Sequence, residues 1–169
     1  MESKIEGVKF LNNFLFEDIR GSLLKVFSSK DDFGTLNNSI KEIWFTKSNK
    51  DTIRGMHMQV GNSPAHKLVT VINGKILDVI IDLRKDSKTY GLYETREFND
   101  SNFAIILPPG VAHGYKVLIN DTIVMYMSDK IHSAKDDTGI LYNSFNFDWK
   151  IEKPIVSKRD LDLPRFNSK

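Results

Sequence analysis

A chain of 169 residues has the size of one domain, taken here as 1–169, and is long enough to close a hydrophobic core. Its formal net charge of only +2, with Lys and Arg scattered along the chain, argues against a nucleic-acid binder. No apolar run approaches the length of a membrane span, and Met1-Glu2-Ser3-Lys4-Ile5-Glu6 lacks the apolar centre of a secretory signal. The absence of cysteine excludes disulfides, a thiolate nucleophile and thiolate metal sites, and fits a cytoplasmic protein.

Few segments carry a helical period. Residues 28–36, and 157–163 near the C-terminus, are expected to hold short helices. Most of the chain reads as short strands rich in Val, Ile and aromatics between turn signals, at 40–45, 67–72, 75–83, 104–107, 115–118 and 122–127. Many short strands in succession imply an antiparallel sandwich or barrel.

Arg54-Gly55-Met56-His57-Met58-Gln59 pairs a cation with an imidazole near a glycine able to take a strained turn. Arg suits an anionic substrate, and a neutral His is a usable base near neutral pH. Further on, Asn73-Gly74 supplies the positive φ angles of a type I′ turn. This predicts a hairpin in which Ile72 faces Lys75, Val69 faces Asp78 and Lys67 faces Ile80. Lys67, Val69, Val71, Ile76, Asp78 and Ile80 then share an inward face, with Lys67 and Asp78 near enough to bridge. The opposite face is also apolar, so both faces are expected to be covered. Pro108-Pro109-Gly110-Val111-Ala112-His113-Gly114 reads as a tight turn entering a strand, with His113 either binding substrate or bonding backbone. Tyr126, among apolar neighbours, is either a core phenol with a partner or a general acid aimed into a cavity. Two imidazoles without supporting carboxylates make a poor zinc or iron site, and His66 and His132 sit in turn-like settings.

Four ordered motifs carry a resemblance over nearly the whole chain: Arg54-Gly55-Met56-His57-Met58-Gln59, His66-Lys67-Leu68-Val69, Asp78-Val79-Ile80-Ile81-Asp82-Leu83-Arg84, and Pro108 to Gly114. They resemble the nucleotide-sugar 3,5-epimerases typified by dTDP-4-dehydrorhamnose 3,5-epimerase. The match runs from Arg20-Gly21 to Ser157-Lys158-Arg159-Asp160. The resemblance implies an all-β, cupin-type double-stranded β-helix (a jelly roll) with short peripheral helices. It further implies a site with neither metal nor cofactor, and a homodimer that exchanges its N-terminal strands.

Residue by residue, the resemblance makes His57 the catalytic base, Asp160 the carboxylate that orients it, Tyr126 the general acid and Lys67 the cation beside the keto oxygen. Arg20, Arg54 and His113 fall on substrate-binding positions, with both arginines suited to the diphosphate. Asp78, Gln59 and Arg159 are placed with them, Asp78 holding Lys67. The implied reaction is proton removal beside a C4 ketone to give an enolate, followed by reprotonation from the other face. Three positions depart from the family pattern. Glu42-Ile43-Trp44 stands where Gln-Asp-Asn is common, Lys25 stands for an acidic residue, and Ile131-His132 stands for a Tyr-Tyr pair. These changes at the base-reading end lead to the expectation of a GDP-linked 4-keto-6-deoxy-heptose, as used in capsule or surface polysaccharide synthesis, ahead of a dTDP sugar. A 3,4-ketoisomerase, a non-catalytic sugar-nucleotide-binding cupin and a metal-dependent cupin are the competing readings.

Overall fold

The computed structural model describes residues 3–30, 33–34, 36–99 and 103–167. Among these, the strands are β1 (Lys9–Asn12), β2 (Phe14–Asp18), β3 (Gly21–Lys25), β4 (Glu42–Ser48), β5 (Ile53–Gln59), β6 (Lys67–Asn73), β7 (Lys75–Asp82), β8 (Tyr93–Asn99), β9 (Phe103–Leu107), β10 (Val111–Val117), β11 (Thr122–Ser128) and β12 (Asp137–Gly139). One five-stranded antiparallel sheet has the order β1-β9-β6-β11-β4, and a second has the order β12-β5-β10-β7-β8. Side chains from both, including Val69, Val71, Ile76, Ile80, Ile105 and Tyr115, interlock in one buried cluster. This is the all-β jelly roll expected from the sequence. No helix among the described residues is long and apolar enough to cross a membrane.

The outer faces are covered as well. Val79, Ile81 and Ala112 pack against Phe145 and Trp149 of the C-terminal segment. Leu68, Ala104 and Met125 pack against Phe33 and Leu36. That double covering explains why 67–72 and 75–83 read as apolar on both faces.

The predicted hairpin is corrected by the structure. β6 pairs with β9 and β11, and β7 pairs with β8 and β10, so Asn73-Gly74 crosses from one sheet to the other. Strands apolar on both faces can pair on either flank, and a two-residue turn does not decide which. Gly74 is still required: its φ is 99°, and a Cβ there would sit 2.8 Å from the Thr122 Cα. The alternation itself survives, because Val69, Val71, Ile76 and Ile80 all face the shared core.

Of the two expected helices, that at 157–163 is present but shorter, whereas that at 28–36 is not found among the described residues there, and a single turn begins instead at Leu36. α1 is Leu36–Ser39 and α2 is Lys158–Leu161. Ser157 caps α2 by accepting from the Asp160 backbone N–H at 3.1 Å. β2 and β3 form a separate two-stranded ribbon that leaves Phe14, Phe16 and Leu23 exposed.

Candidate active site

His57 on β5 and His113 on β10 are register partners on neighbouring strands. The strands approach closely there. A Cβ on Gly55 (φ 126°) would lie 2.5 Å from the Gly114 Cα and 2.8 Å from the His113 carbonyl oxygen, so this crossing requires glycine. Each imidazole is tied to a carboxylate. His57 Nε2–H donates to Asp160 Oδ1 at 2.9 Å, and the Gly55 N–H donates to Oδ2 at 3.0 Å. Burial alone would raise the Asp160 pKa, but the bonds from His57, Gly55 and Ser157 outweigh it and hold the carboxyl below its ordinary value. An ionised Asp160 fixes the proton of a neutral His57 on Nε2, which leaves the Nδ1 lone pair as the basic position.

His113 Nε2–H donates to the buried Asp78 Oδ2 at 2.6 Å. This corrects the expected Lys67–Asp78 bridge. The two residues sit on facing sheets, and Asp78 is occupied with His113, so its connection to a ligand runs through that imidazole. Lys67, on β6, makes no side-chain hydrogen bond or ion pair among the described residues. Burial lowers its pKa, Asp137 partly offsets this, and Arg159 adds to the lowering.

Tyr126 stands on β11 beside its register partner Trp44 on β4. Their rings stack, with centroids 5.1 Å apart and planes 1° apart. The Tyr126 hydroxyl donates to the Tyr115 hydroxyl at 3.1 Å, which lies 2.8 Å from Thr46 Oγ1. Burial pushes the Tyr126 phenol well above its ordinary pKa.

These groups surround a cavity of about 710 Å³, with Arg54, His57, Lys67, His113, Tyr126 and Arg159 in its wall. The volume suits a small organic ligand. Arg54 is aimed by a bond from Nε to Ser48 Oγ at 3.0 Å. Arg159 is held by Asp137 and lies 3.7 Å from Asp160. No group of three or more His, Cys, Asp or Glu side chains among the described residues could hold a metal ion.

Comparison with known proteins now decides the family. A family model described as dTDP-4-dehydrorhamnose 3,5-epimerase matches residues 2–168. The chain belongs to the dTDP-4-dehydrorhamnose 3,5-epimerase family. It is 28% identical over 171 residues to the enzyme of that name from Shigella flexneri, covering 98% of this chain and 94% of the relative. A crystal structure of the Bacillus anthracis enzyme with TDP and PPi bound matches with a TM-score of 0.90 and 35% identity, covering 98% of each chain. The Sulfolobus tokodaii enzyme matches with a TM-score of 0.86 and 34% identity, covering 97% of this chain and 93% of its own.

Within this epimerase scaffold, Arg20 lies away from the site in the isolated chain, and Gln59 borders only a small adjoining pocket with His57, Lys67 and His113. Arg20 projects from the β2–β3 turn with its side chain 83% exposed, paired to Asp18. Gln59 is buried, and its amide is spent on the Ser63 carbonyl and the Ser133 N–H. It braces the loop before β12 and is not part of the main cavity wall. Sequence reading missed Thr46, Tyr115 and Asp137, which also line the cavity, and noted Trp44 and His132 only as departures. The one sign at β4 was its period-2 alternation, but by polarity Ile43 and Phe45 read as the core face, whereas they are exposed and Glu42, Trp44 and Thr46 turn to the cavity. Tyr115 and Asp137 had no such local sign.

Proposed function

We propose that this nucleotide-sugar epimerase inverts C3, C5 or both in a dTDP-linked 4-keto-6-deoxy hexose by proton transfer alone. His57, oriented by Asp160, removes the proton beside the ketone. Lys67 stabilises the enolate oxygen, and Tyr126 returns a proton from the other face. The observation that carries this reading is the placement of base and acid on facing sheets. His57 belongs to β5 and Tyr126 to β11, and both border one cavity. Inversion requires removal from one side of a carbon and delivery from the other. Arg54 and Arg159 suit the diphosphate, with His113 beside the sugar.

The dTDP assignment is supported by the names of the relatives and by the TDP held in one of them. Nothing in those relatives supports the GDP-linked heptose expected from the departures at Glu42-Ile43-Trp44 and Ile131-His132. A homodimer with exchanged N-terminal strands forms part of the same proposal. The β2–β3 ribbon carries exposed Phe14, Phe16 and Leu23 with Arg20 at its turn, and a second copy covering that apolar surface would bring Arg20 toward a cavity.

The test is incubation in D₂O with dTDP- and GDP-linked 4-keto-6-deoxy sugars, followed by NMR. Deuterium at C3 or C5 with inverted product from the dTDP sugar is expected. Preference for the GDP sugar would overturn the nucleotide assignment. A keto group moved to C3 would identify a ketoisomerase, and absence of exchange with either sugar would overturn the function.

A further inference from the structure

We infer that Tyr126, Tyr115 and Thr46 form a proton relay that restores the general acid after each inversion. The inference rests on the reading of Tyr126 as that acid. Three hydroxyls are linked by hydrogen bonds: Tyr126 to Tyr115 at 3.1 Å and Tyr115 to Thr46 at 2.8 Å. They come from three strands, β11, β10 and β4, and from both sheets. Tyr115 is only 1% exposed, and its hydroxyl bonds to both of the others. Thr46 is half-buried and borders the cavity, giving the chain an end that water can reach.

The chemistry creates a need for such a path. When Tyr126 protonates the enolate carbon, its O–H bond breaks, a C–H bond forms from the enolate electron pair, and a phenolate remains. The site is costly for that anion, since burial raises the pKa of both phenols while Arg54 lowers them only in part. Only 8% of Tyr126 is exposed, with its ring stacked on Trp44, so little of the phenol meets water directly. The relay resolves this: Tyr115 gives its proton to Tyr126, Thr46 gives its proton to Tyr115, and cavity water gives one to Thr46. His57 releases the proton it took from the substrate into the same water, so charge and protons balance. Tyr115 is thus a positioning and relay residue, since it acts on the sugar only through Tyr126.

The relay separates the first inversion from those that follow. The experiment is rapid-quench NMR of product formation with excess substrate, run for the wild type and for Tyr115→Phe, Thr46→Val and Tyr126→Phe. In Tyr115→Phe and Thr46→Val, the first inversion per site should keep a rate near that of wild type, because Tyr126 starts protonated. Later inversions should slow on the order of tenfold or more, giving a burst of about one inversion per site, with kcat and KM falling together and kcat/KM staying near that of wild type. Equal slowing of first and later inversions would make Tyr115 merely structural and overturn the relay. Full steady-state rates in either variant would overturn it too, including a slow Tyr115→Phe beside an unaffected Thr46→Val. Tyr126→Phe should lack even the burst. If it inverts normally, the acid assignment fails and the relay fails with it, whereas a defective Tyr126→Phe beside a normal Tyr115→Phe sinks the relay alone.

Discussion

Replacing Asp160 by Asn keeps the shape of the side chain and removes its charge. In the native arrangement one carboxylate oxygen accepts from His57 Nε2 at 2.9 Å and the other from the Gly55 N–H at 3.0 Å. The Gly55 bond still demands an acceptor, so the asparagine amide NH₂ is turned toward His57. A donor there requires Nε2 to accept, which moves the imidazole proton to Nδ1 and removes the basic lone pair. The charge also matters once His57 has taken a proton. With imidazolium and carboxylate centres about 4 Å apart, the Coulomb attraction is about 4 kcal/mol at an effective dielectric constant near 20. That corresponds to a rate loss on the order of 10³-fold. The assay is the initial rate of deuterium incorporation from D₂O into the 4-keto sugar, with circular dichroism to confirm folding. A folded Asp160→Asn protein exchanging within about tenfold of wild type would refute the claim that this carboxylate sets the tautomer and charge of the base.

Other outcomes follow from the same geometry. Lys67→Met should cost roughly 10²–10³-fold in kcat by removing the cation at the developing oxyanion, measured by steady-state kinetics. Because burial lowers the Lys67 pKa, wild-type kcat/KM should fall on the alkaline side earlier than an ordinary lysine would dictate, and Lys67→Met should lack that limb. A group with a depressed cationic pKa favours folding as pH rises toward its unfolded value, so titration of Lys67 should not lower the melting temperature over this range; a parallel loss of Tm would mean unfolding causes the limb. Gly55→Ala should destabilise by ~1–3 kcal/mol from the positive φ alone, before the 2.5 Å approach to Gly114, and urea unfolding would measure it. Changing Phe14 and Phe16 together to Ser should leave the sandwich folded but shift the protein toward monomer by light scattering, with Arg20→Ala raising KM; an unchanged mass and KM would refute the strand exchange.

Much of the fold was readable because strand alternation leaves a strong trace: Lys67 to Ile72 and Lys75 to Asp82 carry apolar side chains on both faces, and both faces are buried. Which strands pair was not readable. The Asn73-Gly74 turn satisfies a hairpin locally, yet sheet membership depends on partners distant in sequence such as Thr122–Ser128. β8 escaped notice because Tyr93-Glu94-Thr95-Arg96-Glu97 is an edge strand with exposed polar residues. His57 and Asp160 were marked by motifs, and the structure brings them within bonding distance although 103 positions separate them. Asp78 was assigned to Lys67 by a pairing that does not exist. The Tyr126–Tyr115–Thr46 connection links the consecutive strands β10 and β11 to the distant β4 and spans both sheets, so it depends on a pairing across the sandwich that local spacing does not show.

The central claim, that one imidazole takes the substrate protons, is tested most directly by His57→Asn in D₂O, with deuterium at C3 and C5 followed by NMR. The variant should stay folded, since the asparagine is smaller and remains polar beside Asp160, and should lose exchange at both carbons. Exchange at either carbon at the wild-type rate would contradict the account and require a second base, for which His113 on the neighbouring strand would be the first to examine.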